Sequence, residues 1–100
     1  MANNIDRFHP TFGTGSIESV TDSSTTEDIE TGVESLCLTN LNSTACYVRT
    51  GVDSATATTA DYPVPGNTQV VVRKNPSHNK LAYITASGTT SLHVMTGIDL

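Results

Sequence analysis

Between Ile17 and Met95 the apolar and β-branched residues come in short runs: Ile17–Thr21, Val33–Thr39, Thr44–Thr50, Thr68–Arg73, Leu81–Ala86 and Thr90–Met95. Clusters of Ser, Asn, Asp, Gly and Pro separate them, as turn chemistry requires. No run reaches the ~11–12 residues of an average helix. None carries the i, i+3, i+4 spacing of an amphipathic helix either. The punctuation predicts an all-β chain: a single β-sandwich or jelly-roll-like domain of about seven short antiparallel strands. Composition agrees, since Thr supplies 17 and Ser 10 of the 100 residues. Thr is β-branched and suits a pleated, half-buried surface.

One hundred residues make one domain. Residues 1–16 show neither strand nor helix period, yet hold both Phe residues, Phe8 and Phe12, beside Pro10, Gly13 and Gly15. They are expected to form an extended N-terminal arm with two aromatic anchors, ahead of a sandwich body at 17–100. Two hairpins are expected within the body. Asn40–Ser43 would join the runs on either side, setting Cys37 opposite Cys46. Ser87-Gly88 would join the last two runs through a loop with Gly88 in the left-handed position. That parity puts Ala82, Ile84, Leu92 and Val94 on one face and Tyr83, Thr85, His93 and Met95 on the other.

Charge excludes some functions. Net charge is −5. The acids concentrate in residues 1–34, where seven stand against Arg7 alone. No basic stripe is available for a phosphate backbone, so nucleic-acid binding is not expected. No apolar run approaches a membrane span, and the N-terminus lacks the apolar core of a secretory signal.

The reactive side chains are scattered. Cys37 and Cys46 are within disulfide reach if the first hairpin forms, whereas synthesis inside a cell favours two reduced, buried thiols. His9, His78 and His93 share no metal-ligand spacing with one another, with Cys or with a carboxylate. Glu27, Asp28 and Glu30 lie in the most polar segment, where water would keep them ionised. Gly13-Thr-Gly15-Ser lacks the Lys and helix of a phosphate loop, and no nucleophile elbow occurs. No enzyme, metal or cofactor is expected. The segment Gly51–Ala60, of small and mostly uncharged residues, reads as a contact or spacer surface, with Pro63 and Pro65 stiffening its exit.

Cys46-Tyr-Val-Arg-Thr-Gly, Ala57-Thr-Thr-Ala-Asp-Tyr-Pro-Val-Pro-Gly66, Val70-Val-Val-Arg-Lys and the closing Ile84–Gly97 stretch together form a pattern. It resembles small virion proteins of tailed bacteriophages over roughly residues 33–97. Head decoration, or cement, proteins are the nearest in kind. The resemblance implies a non-enzymatic homo-oligomer, dimer or trimer, that staples major capsid subunits on the virion surface after synthesis in the host cytoplasm. It brings no catalytic residues. The acidic segment from Asp22 to Glu34 departs from the pattern and leaves the docking mode open. Partner-contact candidates are Phe8 and Phe12 of the arm, Arg49 at a strand end, and Tyr83, His93 and Met95 on the outward face of the last hairpin. Alternatives are a tail, fibre or head–tail joining component, and a carbohydrate- or ligand-binding β-module stacking on Tyr47, Tyr62 and Tyr83.

Overall fold

The computed structural model describes residues 8–29, 31–32, 34–52 and 55–99. Among them are nine strands and no helix. In chain order they are β1 (Phe8–Pro10), β2 (Ser16–Val20), β3 (Thr25–Asp28), β4 (Ser35–Asn40), β5 (Cys46–Gly51), β6 (Tyr62–Val64), β7 (Gln69–Arg73), β8 (Lys80–Thr85) and β9 (Thr90–Asp99). All pairings are antiparallel. One sheet runs β1-β9-β4-β7, with β2 also on β9; the other runs β3-β8-β5-β6. The all-β sandwich expected from the sequence is the observed fold.

The core lies between the sheets. Val20, Leu36, Leu38, Leu92 and Val94 from the five-stranded sheet meet Cys46, Val48, Val64, Leu81 and Tyr83 from the four-stranded one. Val70 and Val72 of β7 pack against the same cluster, so the Val-Val-Val run alternates inward, outward, inward.

Neither expected hairpin forms. The residue 41–45 connection carries the chain from the five-stranded sheet to the four-stranded one, so Cys37 pairs with Val71 and Met95 while Cys46 pairs with Val64 and Thr85. The residue 86–89 connection crosses back, joining β8 to β9 in the opposite sheet. Gly88 takes the expected left-handed φ of 81°, but in a crossover turn. The physical reason is local degeneracy. A short polar loop rich in Ser, Asn and Gly serves equally to return a strand beside its predecessor or to tip it onto the facing sheet.

One buried side chain fastens these crossovers. Asn40 is 1% exposed; its Nδ2 donates to Thr44 O (2.8 Å) and Val64 O (3.1 Å), and its Oδ1 accepts from Thr90 Oγ1 (2.5 Å). Beside it a Cβ on Gly66 would lie 2.2 Å from Ser43 O, so only glycine lets these two backbones approach. Three short strands lay outside the sequence expectation: β1 in the arm, β3 and β6. β3 lies in the acidic segment, and β6 carries Pro63 at a sheet edge, where a missing N–H costs least.

The described part of the arm, residues 8–16, lies along one edge of β9: Phe8–Pro10 pairs with Gly97–Asp99, and Ser16 pairs with Val94. Its N-terminal residues 1–7 lie outside the described residues.

Candidate functional site

The six partner-contact candidates part company in the structure. Tyr83 does not face outward. It is 2% exposed and points into the core with Leu81, so the expected parity of β8 is reversed. The reversal arises because Leu81-Ala-Tyr-Ile84 is apolar on both faces. Ala82, on the outer side, is also fully buried. Arg49 is exposed but engaged, with Nε and Nη2 on Asp61 Oδ1 at 3.0 and 2.9 Å. The Phe8 side chain lies outside the described residues. Phe12, His93 and Met95 remain on offer at the surface.

Strand register assembles the outer face of the five-stranded sheet. Ile17, His93, Thr39 and Gln69 form one row across β2, β9, β4 and β7, tied at its end by Gln69 Nε2 donating to Thr39 Oγ1 at 3.0 Å. The next row holds Met95, Cys37 and Val71. Gly15 lies over the junction of the two rows, since a Cβ there would sit 2.7 Å from His93 Nε2 and 3.3 Å from Met95 Cε. On the other side of the first row stand Ser19 and Ser91. These rows contain no Asp, Glu, Lys or Arg. Charge enters only one row further on, at Arg73, whose guanidinium is 3.9 Å from Glu34.

Two large apolar side chains are unusually bare here: Ile17 of β2 is 66% exposed, and Phe12, in the turn leading into that strand, is 86% exposed. His93 and Met95 are half-buried between them and β4. Single exposed apolar residues are ordinary on a protein surface; an uncharged sheet face edged by bare Ile and Phe is the less common arrangement.

No family model matches this sequence, and no curated protein matches it. Fold similarity does reach a solved structure. The crystal structure of PirA superposes with a TM-score of 0.56, covering 88% of this chain and 96% of that one. Identity is 12%, so the likeness extends to the fold alone.

The opposite sheet offers a different outer face. Residues 55–61 lie over it: Ala57 is 2% exposed and its N–H donates to Ser24 Oγ at 2.8 Å, beyond β8 from β5. Ala57 of this segment therefore packs on the chain's own body, while Thr56, Thr58, Thr59 and Ala60 are exposed. On the same outer face Asp28 pairs with Lys80, and Tyr47 aligns with Ile84 and Pro63.

Among the described residues, no three His, Cys, Asp or Glu side chains stand close enough to hold a metal. The three tyrosines do not form a stacking platform. Tyr83 is in the core, Tyr47 is half-buried on the outer face, and Tyr62 is 50% exposed on edge strand β6. One site was missed by sequence reasoning. Glu27 does not stand in water with Asp28; it pairs in register with Leu81 and turns between the sheets. Burial, and after it the charge of Glu18, push its carboxyl up to about 7. Alternation within β3 was the available signal: with Asp28 outward, Glu27 must point in.

Proposed function

We propose that this chain is a non-enzymatic structural protein of a phage virion, a capsid decoration protein that staples neighbouring major capsid subunits through the outer face of its five-stranded sheet. The observation carrying this reading is the uncharged Ile17–His93–Thr39–Gln69 row with Met95 beside it, and with Phe12 and Ile17 left bare at its edge. A face of this kind suits burial against a flat protein surface, where apolar anchors give the energy and Thr and Gln fit the rim. The motif resemblance over residues 33–97 supplies the partner: the major capsid protein, met at many equivalent positions on the shell. Repetition and self-association into a dimer or trimer turn a modest single contact into durable attachment.

The test is binding to capsids assembled without this protein. Ile17→Glu places a charge in the centre of the bare edge, and Phe12→Ala removes the most exposed aromatic. Each is expected to lower capsid occupancy at least tenfold while leaving the thermal midpoint within ~2 °C of the parent, as surface substitutions do. Undiminished occupancy for both variants would refute docking by this face, and binding to tails in place of heads would refute the capsid assignment.

A further inference from the structure

A polar cluster sits at the open edge of the sandwich, on the side away from β6 and β7. There β2 borders one sheet and β3 the other. Each sends a carboxylate inward: Glu18 pairs in register with core residue Leu92, and Glu27 with core residue Leu81. Ser16 Oγ of β2 reaches across to Glu27 Oε2 at 3.2 Å, and Tyr83 Oη of β8 reaches Glu18 Oε1 at 3.4 Å. The other Glu27 oxygen, Oε1, is buried without a hydrogen-bond partner. An orphaned buried carboxylate oxygen beside a second carboxylate is costly when both are ionised and is relieved when one holds a proton.

We propose that Glu27 carries a proton on Oε1 in the closed sandwich, directed toward the Glu18 carboxylate, and that losing this proton unfastens the β2 edge of one sheet from the β3 edge of the other. The groups facing Glu27 all favour this. From β2 comes Glu18; from β8 comes the Tyr83 hydroxyl, whose own ionisation is pushed up, first by burial and then by Glu27 and Glu18. Its neighbour Asp28 adds further negative charge. From β9, Leu92 and Val94 are apolar. The nearest cation along β8, Lys80, pairs with Asp28 on the outer side of the sheet. Because the folded chain binds the Glu27 proton more tightly than the unfolded chain, the sign is fixed. The stabilisation is complete below the ordinary glutamate range and is lost as pH rises through about 7. The same β2 strand that carries Glu18 inward carries Ile17 outward, so the proton also steadies the exposed sheet edge. This inference does not depend on what docks there.

Carboxyl carbon NMR of the full chain reads the proton directly. Glu27 Cδ is expected to titrate near neutrality, at about pH 7. Amide exchange, corrected for the intrinsic pH dependence, should show protection of residues 16–20 and 25–28 falling roughly tenfold between about pH 6 and 8, the effect of one pKa unit. Protection in β4 and β5 should stay level. Glu27→Gln, neutral at every pH, should keep the same protection at both ends. A Glu27 Cδ midpoint in the ordinary carboxylate range overturns the proposal, as does a Glu27→Gln profile that still falls with the parent's. Should that variant not fold, the Cδ titration of the unsubstituted chain decides alone.

Discussion

Arg49 and Asp61 are twelve residues apart in the chain and joined on the outer face of the four-stranded sheet, Nη2 to Oδ1 at 2.9 Å. Arg49 points outward from β5, in register with the buried Ala82 of β8. Asp61 immediately precedes β6 and also accepts from the Thr58 N–H at 2.7 Å. Burial works against the Asp61 charge, but the Thr58 N–H and the Arg49 guanidinium outweigh it and hold the carboxyl below its usual range. With Ser24 accepting from the Ala57 N–H, the pair holds residues 57–61 against the body, and Ala82 is fully buried on the face that points away from the core.

Breaking the clamp should loosen the segment more than the fold. Arg49 is half exposed, so solvent screens the pair, and a double-mutant cycle between Arg49→Ala and Asp61→Asn is expected to give a coupling of about 0.5–1 kcal/mol. Exchange of the Ala57 and Ala60 amides should quicken in either single variant. The ionic share of the stabilisation is present above the ordinary aspartate range and is lost as pH falls below it. A coupling of zero, with exchange unchanged, would show that the small residues hold the segment without help.

The two cysteines should remain separate thiols. Cys37 sits on the outer face of one sheet and Cys46 in the core of the other, and both are free. Burial raises both, pushing Cys46 up to about 11, so little thiolate is present at pH 8. Alkylation of the folded protein should be slow at Cys37, which is 7% exposed, and should reach Cys46, fully buried, only through unfolding. Intact mass should be the same with and without reductant. A difference of about 2 Da, one disulfide's worth of hydrogen, would contradict the strand placement as well as the redox state.

Strand positions in this chain were legible because each run is bounded by turn residues, and β2, β4, β5, β7, β8 and β9 fall within a few residues of the runs read from sequence. Strand partners were not. Asn40–Ser43 and Ser87-Gly88 carry ordinary hairpin chemistry, and what sends the chain to the facing sheet is long-range: the Asn40 side chain reaching Val64 and Thr90, and Gly66 against Ser43. Faces followed the same division. In Ser91-Leu-His-Val-Met95 polar and apolar residues alternate, so His93 and Met95 were placed outward correctly. In Leu81-Ala-Tyr-Ile84 both faces are apolar and Ala82 is buried on the outer one, so alternation lost its meaning there. Glu27 was read as solvated for a related reason, since β3 has too few apolar residues to announce itself as a strand.

Tyr83 supplies the sharpest test of the corrected face. As a surface contact it would be dispensable to the fold, whereas the structure makes it the bulkiest of the fully buried side chains. Its ring packs with Leu81, Val48 and the facing sheet, and only its hydroxyl emerges, toward Glu18. Tyr83→Ala should therefore destabilise by about 3–5 kcal/mol, the range for deleting a buried aromatic side chain, and could unfold so small a domain outright. Tyr83→Phe keeps the ring and removes one long hydrogen bond, so it should cost at most about 1 kcal/mol. Urea unfolding of the two variants separates these contributions through their midpoints. The Phe variant should also bind any partner of the intact protein as the parent does, because the hydroxyl is turned away from the Ile17–Met95 face. Near-parental stability of Tyr83→Ala would return the side chain to the surface and undo the register assigned to β8.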